Sequence, residues 1–197
     1  MGDGHDLLAT LRHVRNTRAF THESVSAEAL GTILEVARCT GSAMNAQPWE
    51  FVVVRDPEVL RAISQTGPNL PWLGSAPLAI VLVMAGQRPE LEGFDEGRLA
   101  ERIMAAAYAQ GLAAGLGWFL AGEPRRRAYA LLGVPEAKAM RTVIAVGHPA
   151  AGAGPAAPPP GSPAEGMKPA SPRKPLAELV HHDRYGAAAA HGTGSGS

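Results

Sequence analysis

The stretch TGSAMNAQPWEF, residues 40–51, decides how the rest of the chain is read. Before it, Leu30, Ile33, Leu34 and Ala37 recur at helical spacing, with Ser26 placed to cap the helix and Glu28 in its first turn. After it, WEFVVV (49–54) is an apolar run stopped by Asp56-Pro57, the pattern of a buried strand. Between helix and strand stand Ser42, Asn45 and Gln47, and Pro48 pushes Gln47 into an extended exit. Asn and Gln carboxamides offer both a donor and an acceptor, which suits the edge of a heterocycle. A helix C-cap followed by a turn accounts for the same three residues equally well.

Working outward, Leu7, Leu11 and Val14 predict a first helix ending near Arg15, and Glu58–Gln65 a short one. LAIVLVM (78–84) and TVIAV (142–146) read as two further buried strands. The region 97–115, with Leu99, Ile103, Ala106 and Gln110, reads as one long helix of small residues, and Glu123–Leu132 as another helix. Few polar residues interrupt the strands, so helices are expected on both faces of the sheet.

The 197 residues contain 23 Gly and 17 Pro, and much of that excess is local. Every residue from Ala151 to Ala164 is Ala, Gly, Pro or Ser, and eight of the 17 prolines lie between Pro155 and Pro175. Such a stretch lacks side chains to bury and reads as a linker. The expected organisation is a folded domain over 1–150, a linker over 151–172, a short segment over 173–186 and a disordered tail over 187–197. In the short segment Leu176, Leu179 and Val180 stand at helical spacing. Eighteen basic residues balance 18 acidic ones, which argues against a nucleic-acid partner. No run reaches the roughly 20 apolar residues that span a bilayer, and no secretory signal is evident. The single cysteine, Cys39, fits a reducing cytoplasm and reads as a core residue at a helix end.

LRHVRNTRAF (11–20) carries Arg12, Arg15 and Arg18 with no acid. A solvated helix end explains such a cluster; so does an anion site, because planar guanidinium groups fit phosphate oxygens. Arg125–Arg127 reads as a solvated helix face. His181-His182-Asp183 has no spaced partner ligands, so no metal site is expected. Gly152-Ala-Gly154-Pro-Ala-Ala157 fits a dinucleotide fingerprint only formally, since a Pro-rich run follows it where a helix is needed.

Taken together, Arg15-Asn16-Thr17-Arg18-Ala19-Phe20, Val25-Ser26 and Ser42-Ala43-Met44-Asn45-Ala46-Gln47-Pro48-Trp49-Glu50-Phe51 resemble the opening of the nitroreductase family. The resemblance continues in Trp72-Leu73-Gly74-Ser75-Ala76-Pro77, Gly111–Trp118, Leu132-Gly133-Val134-Pro135, Val146-Gly147-His148-Pro149 and 173–181. It covers roughly residues 8–186, in the family's order.

That resemblance implies an α+β fold with a mixed sheet flanked by helices, built as an intertwined homodimer with FMN at the subunit interface. It implies that Arg15 and Arg18 hold the phosphate side of FMN, with Asn16 beside them and Arg173 and Lys174 returning from the C-terminal segment. Asn69 would pair with the pyrimidine edge of the flavin, and Leu116, Gly117 and Trp118 would run past its reactive nitrogen. Ser42, Asn45 and Gln47 would approach from the partner subunit. The chemistry would be centred on the flavin with no catalytic side chain: NADH or NADPH gives hydride, and a small aromatic acceptor such as a quinone or nitroaromatic takes it, in ping-pong order. Residues 85–96 leave too few positions for an added helical lid, so an open pocket flanked by Trp72, Phe94 and Trp118 is expected. Val14 and Asn16 depart from the family's frequent Arg-Arg-Ser. These departures keep open a non-turnover FMN-binding storage or sensor protein; a dehydrogenating oxidase or dehalogenase on the same scaffold is a further alternative.

Overall fold

The computed structural model describes residues 4–153 and 174–186, which fall in two units treated separately below. In the first, five helices are named in chain order: α1 (Gly4–His13), α2 (Ala27–Arg38), α3 (Pro57–Ser64), α4 (Pro89–Ala109) and α5 (Glu123–Leu132). Four strands, β1 (Trp49–Val54), β2 (Leu78–Met84), β3 (Ala113–Trp118) and β4 (Ala139–Gly147), form one sheet in the order β1-β2-β4-β3. Every ladder between them is antiparallel. The fold is α+β, and parallel pairing is confined to an isolated bridge between Asn16 and Ala114.

All seven residues of β2 are buried, which requires cover on both faces. Ala79, Val81 and Val83 face a core with Leu60 and Ile63 of α3, Leu70, Leu73 and Ala128 of α5. Leu78, Ile80, Leu82 and Met84 face the opposite core, with Ile33 and Ala37 of α2 and Leu99 and Ile103 of α4. This is the two-residue alternation of a strand sandwiched between helix layers. Ser26 caps α2 by accepting the Ala29 N–H at 3.1 Å, as its sequence position predicts.

Four expectations are corrected. The strand over WEFVVV is not buried: β1 lies at the edge of the sheet, and Val54 is its one buried residue. The long helix is α4, which begins at Pro89 and ends at Ala109. Pro at its first position and Glu90 and Glu92 in its first turn are start signals, so residues 89–96 belong to the helix rather than to a loop. Gly111, at φ +74°, turns the chain, and the next small residues form β3 instead of extending the helix. Smallness there serves close approach: a Cβ on Gly115 would lie 2.1 Å from the Thr17 carbonyl oxygen. Cys39 is not in the core; it is the exposed C-cap residue of α2.

The second unit, residues 174–186, contains a 3₁₀ turn at Leu176–Glu178 and a ring contact of 4.4 Å between His181 and Tyr185. The linker over 151–172 from residue 154 on, Arg173 and the tail over 187–197 lie outside the described residues.

Candidate active site

After α1, residues 16 and 17 lie along the outer edge of β3, and residues 19–21 pair with residues 148–150. The Thr17 N–H donates to the Ala114 carbonyl at 2.8 Å, and the Leu116 N–H donates to Asn16 Oδ1 at 2.7 Å. The arginines of this run go to different places. Arg15 and Thr17 line a cavity of about 500 Å³ together with His13, Tyr108 and Pro149. Arg15 Nη1 donates to the Arg12 and Val14 carbonyls, 2.7 Å each, at the C-terminal end of α1. Arg18 takes the other side and lies over the Trp72 ring, 5.5 Å from its centroid. Burial holds its guanidinium below the ordinary arginine range.

Trp72 sits in a 3₁₀ turn, Pro71–Ser75, and its indole N–H donates to the Asn69 carbonyl at 3.0 Å. The Asn69 side chain reaches β3: Nδ2 donates to the Trp118 carbonyl at 2.7 Å. Asn69 Oδ1 is buried and has no hydrogen-bond partner among the described residues. Gly117 lets this packing close, because a Cβ there would lie 2.6 Å from Leu70 Cδ2 and 3.2 Å from the Trp72 ring. Asn16, Arg18, Asn69, Trp72, Leu116, Gly117 and Trp118 therefore form one connected ledge, with Trp118 exposed at its end.

Ser42, Asn45 and Gln47 lie elsewhere. Ser42 Oγ accepts the Gln47 N–H at 2.9 Å, and Gln47 Nε2 donates to the Asn45 carbonyl at 3.4 Å. Met44, Asn45 and Gln47 adopt left-handed backbone at φ 54°, 53° and 47°; the extended exit expected at Gln47 before Pro48 is corrected, since the turn that closes on Ser42 Oγ sets its φ instead. Met44 and Gln47 line a cavity of about 440 Å³ with Trp49, Arg88, Leu91 and Lys138. Phe94 lies on α4, strongly exposed, with the Arg98 guanidinium 5.7 Å from its ring centroid. Within one protomer no hydrogen bond or ring contact between described residues joins it to Trp72 or Trp118. Lys174 lies in the second unit and Arg173 outside the described residues.

Sequence reasoning missed the acids of α4. The Glu92 carboxylate accepts the backbone N–H groups of Gly86, Gln87 and Arg88 at 2.8–2.9 Å. Burial pushes its pKa up, but these three bonds, with Arg141 nearby, outweigh that and hold it below the ordinary carboxylate value. Glu96, also buried, pairs with Arg141 of β4. Reading Pro89 as a helix start would have placed Glu92 at the first turn, where a carboxylate meets unpaired N–H groups.

A family model described as the nitroreductase family matches residues 11–66. A protein of Methanothermobacter thermautotrophicus, provisionally named NADH dehydrogenase/NAD(P)H nitroreductase, is 31% identical over 156 residues; the match covers 76% of this chain and 80% of the relative. The chain belongs to the nitroreductase family. Among solved structures, an FMN-dependent nitroreductase from Clostridium difficile is 26% identical, with a TM-score of 0.68 over 72% of this chain and 87% of that one. A provisionally named nitroreductase from Desulfovibrio desulfuricans, solved in complex with FMN, is 26% identical, with a TM-score of 0.67 over 91% and 97% of the two chains. Seen as part of a nitroreductase-family member, the ledge draws on the segments that the sequence singles out at residues 15–20, 72–77 and 111–118.

Proposed function

We propose that the protein is an FMN-dependent NAD(P)H oxidoreductase that passes electrons to a small aromatic acceptor, a quinone or nitroaromatic, by a ping-pong mechanism. The observation that carries the reading is the ledge, and above all Asn69. A buried carbonyl acceptor left without a partner costs about 1–3 kcal/mol, so its retention calls for a donor that arrives from outside the chain. The imide N–H of a flavin is such a donor, and Arg18 beside it on Trp72 supplies a cation for an anionic cofactor. On these grounds the residues fit FMN.

When bound, FMN supplies the hydride-accepting and hydride-donating chemistry. The chain's own residues bind and orient. Asn69 fixes the position of β3 through the Trp118 carbonyl and offers Oδ1 to the cofactor's pyrimidine edge. Arg18 is assigned to the phosphate side; Arg15, turned to the Arg12 and Val14 carbonyls, is not part of the ledge. Gly117, free of a side chain, lets Leu70 and Trp72 pack against the Leu116–Trp118 backbone. Trp72 and Trp118 form apolar walls for a planar acceptor, with Phe94 assigned to the same pocket.

A homodimer belongs to this reading. Ser42, Asn45 and Gln47 stand apart from the ledge, and Leu7, Leu8 and Leu11 of α1 are exposed, which supports a second copy completing the site. A cytoplasmic setting is proposed with it; no helix among the described residues is long and apolar enough to cross a membrane.

The test is steady-state oxidation of NADH and of NADPH by the FMN-loaded protein with menadione or a nitrobenzoate as acceptor. Parallel double-reciprocal plots are the expected result. Intersecting plots would remove the ping-pong order, and no oxidation with either donor would favour a storage protein.

A further inference from the structure

The outer edge of β3 is held at two points by carboxamides. Asn16 Oδ1 accepts the Leu116 N–H, and Asn69 Nδ2 donates to the Trp118 carbonyl, each at 2.7 Å. Gly117 lies between them. β3 is an edge strand, paired with β4 alone through a ladder, so on its outer side each N–H and C=O needs a separate partner. Thr17 meets the Ala114 carbonyl by its backbone, but at Leu116 a side chain takes over the ladder's task. A backbone N–H can bond only the oxygen of the amide, so the orientation of Asn16 is determined. That oxygen is spent on the protein. Serine, frequent in the family at this place, has a shorter side chain.

We propose that Asn16 is a positioning residue: it clamps Leu116–Trp118 so that this backbone stays in register for the flavin ring. The inference rests on the FMN reading above. It divides the basic segment by task, with Arg18 serving the charged end of the cofactor and Asn16 serving the ring.

Asn16→Leu removes the acceptor at nearly the same size, and Asn16→Asp keeps it; Asn16 is exposed, so both variants remain folded. Two measurements test the proposal. Hydrogen exchange at the Leu116 amide, in flavin-free protein, is expected to accelerate about five-fold in Asn16→Leu, the worth of one neutral hydrogen bond, and to return to the wild-type rate in Asn16→Asp. Fluorescence titration with FMN and with riboflavin, which lacks the phosphate, is expected to find both Kd values raised by the same factor in Asn16→Leu. The visible circular dichroism of the bound flavin is expected to change with it. Arg18→Ala, the control, weakens FMN more than riboflavin. Unchanged Leu116 exchange in Asn16→Leu would overturn the clamp, and loss of FMN with riboflavin binding intact would make Asn16 a phosphate ligand. A wild-type protein that takes up neither flavin would instead overturn the FMN reading, while the exchange measurement still judges the clamp.

Discussion

The ledge and the loop Ser42–Gln47 are both polar segments beside an edge strand, yet they are held in different ways. The ledge is tied across long sequence separations: Asn16 to Leu116, Asn69 to Trp118, Arg18 to Trp72. Among the described residues the loop's hydrogen bonds are internal, through Ser42 and Asn45, and it carries three non-glycine residues in left-handed backbone. Left-handed backbone costs such residues roughly 1 kcal/mol or more each and persists where the surroundings hold it. One region is complete within a protomer; the other stores strain beside a cavity. In the proposed dimer these become the two halves of one site.

The sharpest way to break the ledge is Gly115→Ala. Its Cβ would meet the Thr17 carbonyl and push residues 14–18 away from β3. A loss of about 3 kcal/mol in unfolding free energy is expected, as for severe overpacking, measured by urea denaturation. A loss under about 1 kcal/mol would mean that the segment is not pressed against the strand. Next in size, Arg18→Ala is expected to raise the Kd for FMN about 10- to 100-fold, the worth of a hydrogen bond to a charged group. Arg126→Ala, an exposed residue paired with Glu123 on α5, is expected to leave it within about two-fold. Equal retention in the two variants would contradict the phosphate assignment.

Glu92 borders the loop's cavity and offers a smaller effect. Glu92→Gln leaves one acceptor oxygen for three N–H groups, and a loss of about 1–2 kcal/mol is expected at pH 7. Because the folded-state pKa is depressed, this contribution is full above the unfolded carboxylate pKa of about 4.3 and fades as pH falls through the folded value. Between pH 6 and acid the wild-type protein therefore loses stability more steeply than the variant; parallel curves would remove Glu92 from the account. Smallest of all, Met44→Gly relieves the φ of 54° and is expected to raise stability by a few tenths of a kcal/mol, net of glycine's unfolded-state entropy, while lowering turnover. Raised stability with unchanged turnover would separate the strained loop from the site.

Much of the framework was legible because it follows from period and caps. Ser26 capping α2, WEFVVV as β1 and LAIVLVM as β2 need only local rules. The boundary between α4 and β3 was not legible, because Ala and Gly carry no period. The requirement that keeps Gly115 and Gly117 without side chains is tertiary, namely the approach of Thr17, Leu70 and Trp72. For the same reason the types of the ledge residues were legible but their division of labour was not. Nothing local tells that Arg15 turns to α1 while Arg18 turns to Trp72, or that the Asn16 carboxamide is occupied by a strand 100 residues away.

The central claim is that the ledge holds a flavin which NAD(P)H reduces. Its most direct test is the visible spectrum of the FMN-loaded protein before and after anaerobic mixing with NADH and with NADPH. The account predicts a bound-flavin spectrum that bleaches with at least one donor and returns when a quinone is added. A flavin that stays oxidised with both donors would contradict it.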